Sequence, residues 1–172
     1  MKELLIPISD DEFKDKINIR FNNIIDGFNS FQNFTLEASG VEDGENKLIS
    51  FVERVFENNN SEAYIDFYIS KLSESDKKKL IELIPMEDKK ILELHLNTIK
   101  HDGIFYALRN KYLIPFLVRL NTRETFFVTF YFYNKPITIW GNYNMKFPCF
   151  FNNQKDLEFY YAIYNSLGFN KY

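Results

Sequence analysis

Few side chains in this sequence can carry reaction chemistry: two histidines, His95 and His101, and one cysteine, Cys149. His95 lies two residues after Glu93, and Asp102 directly follows His101. Glu93, His95, His101 and Asp102 are the donor types of a transition-metal site. Their spacing matches no HExxH, paired-cysteine or other ligand pattern, so neither a metal nor a cofactor is expected. Cys149 with a histidine would make a nucleophile and its base. A reactive thiolate needs an electropositive, partly open setting. "KFPCFF" instead flanks Cys149 with Pro148 and Phe150 and predicts a buried, inert thiol. The adjacent carboxylates Asp10/Asp11 and Glu87/Asp88 fall at helix ends, where the helix dipole accounts for them. No GxGxxG, GxxxxGK[ST] or GxSxG occurs, and six glycines leave little for a phosphate-cradling loop. The chain reads as lacking a catalytic constellation.

The elements that position these side chains are clearer. Ser9 and Glu12 form a capping box with Ile8 and Phe13 as a hydrophobic staple. Phe13, Ile17, Phe21, Ile24 and Phe28 then share one stripe, which predicts a first helix running to about Ser30. Phe34 to Ser39 reads as a short strand, and Gly44 to Asn58 as a second helix with Leu48, Ile49, Val52, Val55 and Phe56 inward. Ile65, Tyr68, Ile69 and Leu72 predict a third helix, and Ser73 caps a fourth that stops before Pro85. The period then shortens. Ile91 to Asn97 alternates and reads as a strand, with a helix as the competing assignment. Ile104 to Leu108, Leu113 to Leu120, Thr125 to Tyr133 and Ile137 to Tyr143 read as further strands. Asn153 caps a last helix with Leu157, Tyr160, Tyr161, Tyr164 and Leu167 inward, and Gly168 closes it. The expected fold class is α+β, as one domain over 1–172: a helix-rich front (1–88), an antiparallel sheet of about four to five strands (89–151), and a C-terminal helix (153–168).

One hairpin is legible in detail. If Asn134 and Lys135 form the turn of "TFFVTFYFYNKPITIW", then Phe132 pairs with Ile137, Tyr131 with Thr138, Phe130 with Ile139, and Thr129 with Trp140. Phe126, Val128, Phe130, Phe132, Ile137 and Ile139 share a purely apolar face, which is core. Thr125, Phe127, Thr129, Tyr131, Tyr133, Thr138 and Trp140 share the other, which mixes rings with hydrogen-bonding groups.

Composition narrows the function classes. Phe, Tyr, Asn and Lys supply 65 of 172 residues, which fits an AT-rich bacterial genome and weakens any argument from aromatic content alone. A single cysteine rules out an intrachain disulfide, which with the absence of a leader pattern points to the cytoplasm. No run approaches the roughly 20 apolar residues of a membrane span. Net charge is −3, split into −9 over residues 1–88 and +6 over 89–172. Aromatics on a sheet beside Arg109, Lys111, Arg119 and Arg123 are elements of single-strand binding, but no RNP signature occurs and the pI is about 5.5, so nucleic acid is not the expected partner.

The favoured expectation is a non-catalytic protein-binding domain with a basic protein partner. Tyr131, Tyr133, Thr138 and Trp140 are its candidate anchors, and Glu42, Asp43, Glu45, Glu53 and Glu57 its candidate acidic face. In size, acidity and lack of motifs the chain resembles the heterogeneous class of bacterial immunity proteins, which neutralise basic toxins such as nucleases. The alternative is a small enzyme or ligand-binding domain with a pocket between the sheet and the C-terminal helix, lined by Tyr131, Trp140, Tyr161 and one of the histidines.

Overall fold

The computed structural model describes residues 4–169. Among them, seven strands form one antiparallel sheet: β1 (Ile6–Pro7), β2 (Gln32–Glu37), β3 (Ala63–Asp66), β4 (Phe105–Leu108), β5 (Thr129–Phe132), β6 (Ile137–Ile139) and β7 (Lys146–Phe151). Their spatial order is β1-β4-β3-β5-β6-β7-β2. The helices are α1 (Asp10–Lys16), α2 (Ile24–Ser30), α3 (Val41–Asn58), α4 (Glu74–Leu83), α5 (Met86–Thr98), α6 (Ile114–Thr122) and α7 (Gln154–Ser166). The α+β class holds, with more strands than expected. No helix among the described residues is long and apolar enough to cross a membrane.

Strand alternation sorts the side chains onto two covered faces. On one, Ala63, Ile65, Phe130, Phe132, Ile137, Ile139 and Phe151 meet Phe51 and Val55 of α3, Leu117 of α6 and Tyr160 of α7 in the main core. On the other, Tyr64, Ala107 and Tyr131 meet Ile8, Phe13 and Ile17 of the N-terminal segment. Three predicted hairpin pairs are observed: Phe130 pairs with Ile139, Tyr131 with Thr138, and Phe132 with Ile137. The fourth, Thr129 with Trp140, is not in the ladder, because β6 ends at Ile139 and the Trp140 N–H donates to the Pro148 carbonyl. Its tip is tied down by Asn59, whose side-chain oxygen accepts the Lys135 N–H (2.8 Å), and by the Tyr160 hydroxyl, which donates to the Lys135 carbonyl (2.6 Å). The caps at Ser9, Ser73 and Asn153 form as expected. Gly168 takes φ +74°, and Phe169 folds back to 4.7 Å from the Tyr164 ring.

Four assignments change. Ile91–Asn97 is not a strand but part of α5: Leu92 and His95 are buried, whereas Leu94 is 50% exposed, so period 3.6 outweighs the alternation. Leu113–Leu120 is likewise helical, as α6, with Pro115 in its first turn, where proline needs no N–H partner. The predicted third helix is the interior strand β3, between β4 and β5, followed by a 3-10 turn, Tyr68–Lys71; a short apolar run buried on both faces reads the same either way. The first helix breaks in two: α1 stops at Lys16, and Asn23 caps α2 by accepting the Asp26 N–H (3.0 Å). β7 escapes the sequence reading because Pro148 argues against a strand inside a sheet. The front-helix, back-sheet division is correspondingly mixed, since β1, β2 and β3 come from the front and α6 from the back.

Candidate functional site

The N-terminal segment does not seal the sheet face that it covers. From α1, Phe13 stacks on Phe105 (centroids 3.8 Å apart, planes 8°) and meets Tyr131 edge-on (4.9 Å). The chain then crosses to α2 without regular structure, held where the Thr138 hydroxyl donates to the Ile19 carbonyl (2.7 Å). Phe21 stacks on Trp140 (5.1 Å) and meets Phe150 edge-on (4.7 Å). Between these two contacts lies a cleft of about 510 Å³. Its floor carries Phe13, Asp66 and Tyr131; exposed Lys14, Arg20, Asp26 and Tyr68 stand at its mouth, and Trp140 forms one wall.

Asp66 is the unusual group. It ends β3 on this face and is 8% exposed. The Thr129 N–H donates to Oδ1 (2.8 Å) and the Tyr131 hydroxyl to Oδ2 (3.0 Å). Burial pushes its pKa up to about 6, against the downward pull of those hydrogen bonds. Burial and the neighbouring carboxylate raise the Tyr131 hydroxyl well above its ordinary value. No ion pair among the described residues reaches Asp66.

The predicted anchors meet different fates. Tyr131 and Thr138 are buried under α1 and the segment after it, because the second sheet face is covered rather than open. Tyr133 is half-buried; its hydroxyl donates to Glu62 (3.0 Å) and Lys16 lies 5.2 Å from its ring. Trp140 remains on the cleft wall. The acidic candidates are largely neutralised. Asp43 pairs with Lys47 (2.6 Å), and Lys111 lies between Glu53 (4.0 Å) and Glu57 (2.5 Å). Glu45 is buried. Burial alone would raise its pKa, but hydrogen bonds from Arg123 and Thr122 outweigh that and hold it below its ordinary value. Only Glu42 of the five is exposed and without an ion pair among the described residues. Exposed acids are instead gathered on α1, as Asp10, Asp11, Glu12 and Asp15, although the α1 residues that line the cleft are Phe13 and Lys14.

The space between the sheet and α7 is filled by Phe151, Tyr160, Tyr164 and Phe169, with Tyr161 outside it, so the cleft lies on the opposite face from the expected pocket. The histidines sit elsewhere again. His95 (4% exposed) meets Phe67 and Tyr106 edge-on (5.6 and 5.4 Å), and His101 meets Tyr106 (5.1 Å) beside a smaller cleft of about 190 Å³. Burial, and then the proximity of His101, pushes the His95 pKa down to about 4. Glu93 points outward, and no group of three metal-binding side chains gathers among the described residues. Cys149 is fully buried on β7, and burial pushes its thiol pKa up. Four strand spacings, roughly 19 Å, separate β7 from the β4 strand that carries Tyr106. Thiol and imidazoles therefore do not meet.

Sequence reasoning passed over Asp66, although a lone carboxylate in the apolar run "AYIDFYI" marks it. It also read Phe13 and Phe21 as one helix stripe, whereas each caps a different end of the cleft. Gly27 keeps that arrangement: a Cβ there would lie 2.6 Å from Cζ of Phe21. Gly27→Ala should displace Phe21 from Trp140, at a net loss of about 1–2 kcal/mol after the helix-propensity gain. Denaturant titration and the Trp140 emission maximum report this; unchanged values for both contradict the packing. No family model, curated protein or solved structure matches the chain.

Proposed function

We propose that the protein is a non-catalytic protein-binding domain for a basic partner and, in its sharper form, a bacterial immunity protein that neutralises a basic toxin. The observation that carries this reading is the open aromatic cleft with a buried carboxylate on its floor, on the sheet face that α1, with its exposed acids, covers in part. The acids raise the encounter rate with a cationic surface. Trp140 and the rings around it supply the rigid, partly apolar contact on which binding energy concentrates. The burial of Cys149, four strand spacings from the strand beside the histidines, supports a role without catalysis. A cytoplasmic setting, where a single thiol stays reduced, fits an antidote kept by the cell that makes the toxin.

A small-molecule receptor is the second reading, favoured by the cleft volume, which falls within the range of roughly 300–1,000 Å³ typical of ligand pockets. Affinity capture from native lysate separates the two. The expected result is a stoichiometric basic protein, released by high salt and lost when Asp10, Asp11, Glu12 and Asp15 are changed together to amides. Recovery of the free chain alone under low salt rules out the protein-binding reading.

A further inference from the structure

Asp66 is a buried anion facing an aromatic cleft, with no cation of its own chain paired to it among the described residues. A side chain in that position loses hydration and gains no counter-ion in return. Its partners are neutral: the Thr129 N–H donates to Oδ1 and the Tyr131 hydroxyl to Oδ2, and the Thr129 side chain and the Asp66 backbone add to them, so hydrogen bonds steady the carboxylate but none brings a positive charge. Phe13, Phe105, Tyr131 and Trp140 line the same space. Ring faces attract a weakly hydrated, planar cation, and such a cation pairs with a carboxylate through parallel N–H donors.

We infer that the cleft receives an arginine guanidinium presented by the basic partner, with Asp66 as its counter-ion and Tyr131 holding the carboxylate in place. That the arginine belongs to a protein rests on the function proposed above; the guanidinium site itself does not. Every charged group facing the cleft bears on the idea. Lys14 of α1 and Arg20 of the following segment stand at the mouth with Asp26 of α2, whose carboxylate accepts from the Asn23 side chain (2.6 Å), and Tyr68 lies on the turn after β3. Arg20 donates through Nε to the Ile17 carbonyl (3.1 Å), not to Asp66. It is nevertheless the natural competitor: folded inward, it would neutralise the site from within.

Trp140, the only tryptophan in the chain, reports on occupancy by fluorescence. The full chain is titrated at pH 7.5 with Nα-acetyl-arginine amide, its neutral isostere Nα-acetyl-citrulline amide, and Nα-acetyl-lysine amide. Saturable binding of the arginine probe is expected, at least about tenfold tighter than citrulline and tighter than lysine. Asp66→Asn should weaken arginine binding by about tenfold or more. For the unaltered chain, affinity should fall about tenfold per pH unit below about 6, as Asp66 takes up its proton. That profile needs no variant, so a poorly folding Asp66→Asn does not shelter the inference. Equal binding of citrulline, full retention in Asp66→Asn, or a flat pH profile each overturns it. Lysine binding as tight as arginine overturns the guanidinium assignment. Binding seen only in Arg20→Ala also overturns it, because the site is then self-occupied. If Asp66→Asn still captures the partner from lysate undiminished, this inference fails and the protein-binding reading stands. If arginine binds but no partner is captured, the reverse holds.

Discussion

Replacing Asp88 with alanine is expected to remove about 3–5 kcal/mol of stability and to lower the melting temperature by roughly 6–20 °C. Asp88 is fully buried in the first turn of α5. Arg119, from α6, donates Nε to Oδ2 (2.8 Å) and Nη2 to Oδ1 (2.6 Å), a two-pronged contact tying the two helices together. The Arg119 side chain is itself only 15% exposed, so losing its partner strands a desolvated guanidinium. Glu87 lies 3.4 Å away but is exposed and compensates poorly. The pair's net value is a different quantity. Asp88→Leu combined with Arg119→Met should be far less damaging than either change alone, because neither charge is left unpaired. Denaturant titrations of the two single variants and the double variant check this. An Asp88→Ala protein as stable as the original contradicts the account.

The second expected result is a cancellation in the pH dependence of stability. Burial raises Asp66 from an ordinary value near 3.8 to about 6, so the folded chain binds that proton more tightly than the unfolded chain. Its contribution is therefore present at low pH and is lost as pH climbs from about 4 to about 6, by about 3 kcal/mol. His95 is opposite: its folded value of about 4 lies below the ordinary 6.5, so the unfolded chain protonates first. Its contribution is present above pH 6.5 and is lost as pH falls to about 4, again by about 3 kcal/mol. Between these limits the two slopes oppose each other. Asp66→Asn should stabilise the free protein at pH 7 by about 1–3 kcal/mol, the smaller figure allowing for a weakened Tyr131 hydrogen bond, and its advantage should vanish near pH 4. His95→Phe should instead gain on the unaltered protein as pH drops from 6.5 to 4. Differences between variant and parent, measured by chemical denaturation across this range, cancel the titration of all other carboxylates. Superimposable profiles refute both assignments. A stabilising Asp66→Asn would also mark the cleft as a place where stability is given up for binding.

Local rules made much of the scaffold legible. The Phe130–Ile139 and Tyr131–Thr138 pairs follow from a turn at Asn134–Lys135 and a two-residue side-chain period. The caps of α1, α4 and α7 follow from Ser9, Ser73 and Asn153. Legibility failed where a short apolar run is buried on both sides. β3 and α6 show no polar face to reveal their period, so the sequence supports strand and helix equally well there. The site failed for another reason. Asp66, Tyr131, Phe13 and Trp140 come from β3, β5, α1 and the end of the hairpin, and nothing local says that α1 lies across Phe105 rather than packing elsewhere.

The amino-acid sequence by itself determined the faces of the hairpin, the N-terminal caps of α1, α4 and α7 and the buried setting of Cys149, because each depends on neighbours within a few residues. Only the tertiary structure decided that the tyrosine-bearing face is covered, that Glu45 is neutralised by Arg123, and that Asp66 is left as an unpaired buried charge. Those outcomes depend on which distant segments come together, and desolvation and charge pairing have no value until they do.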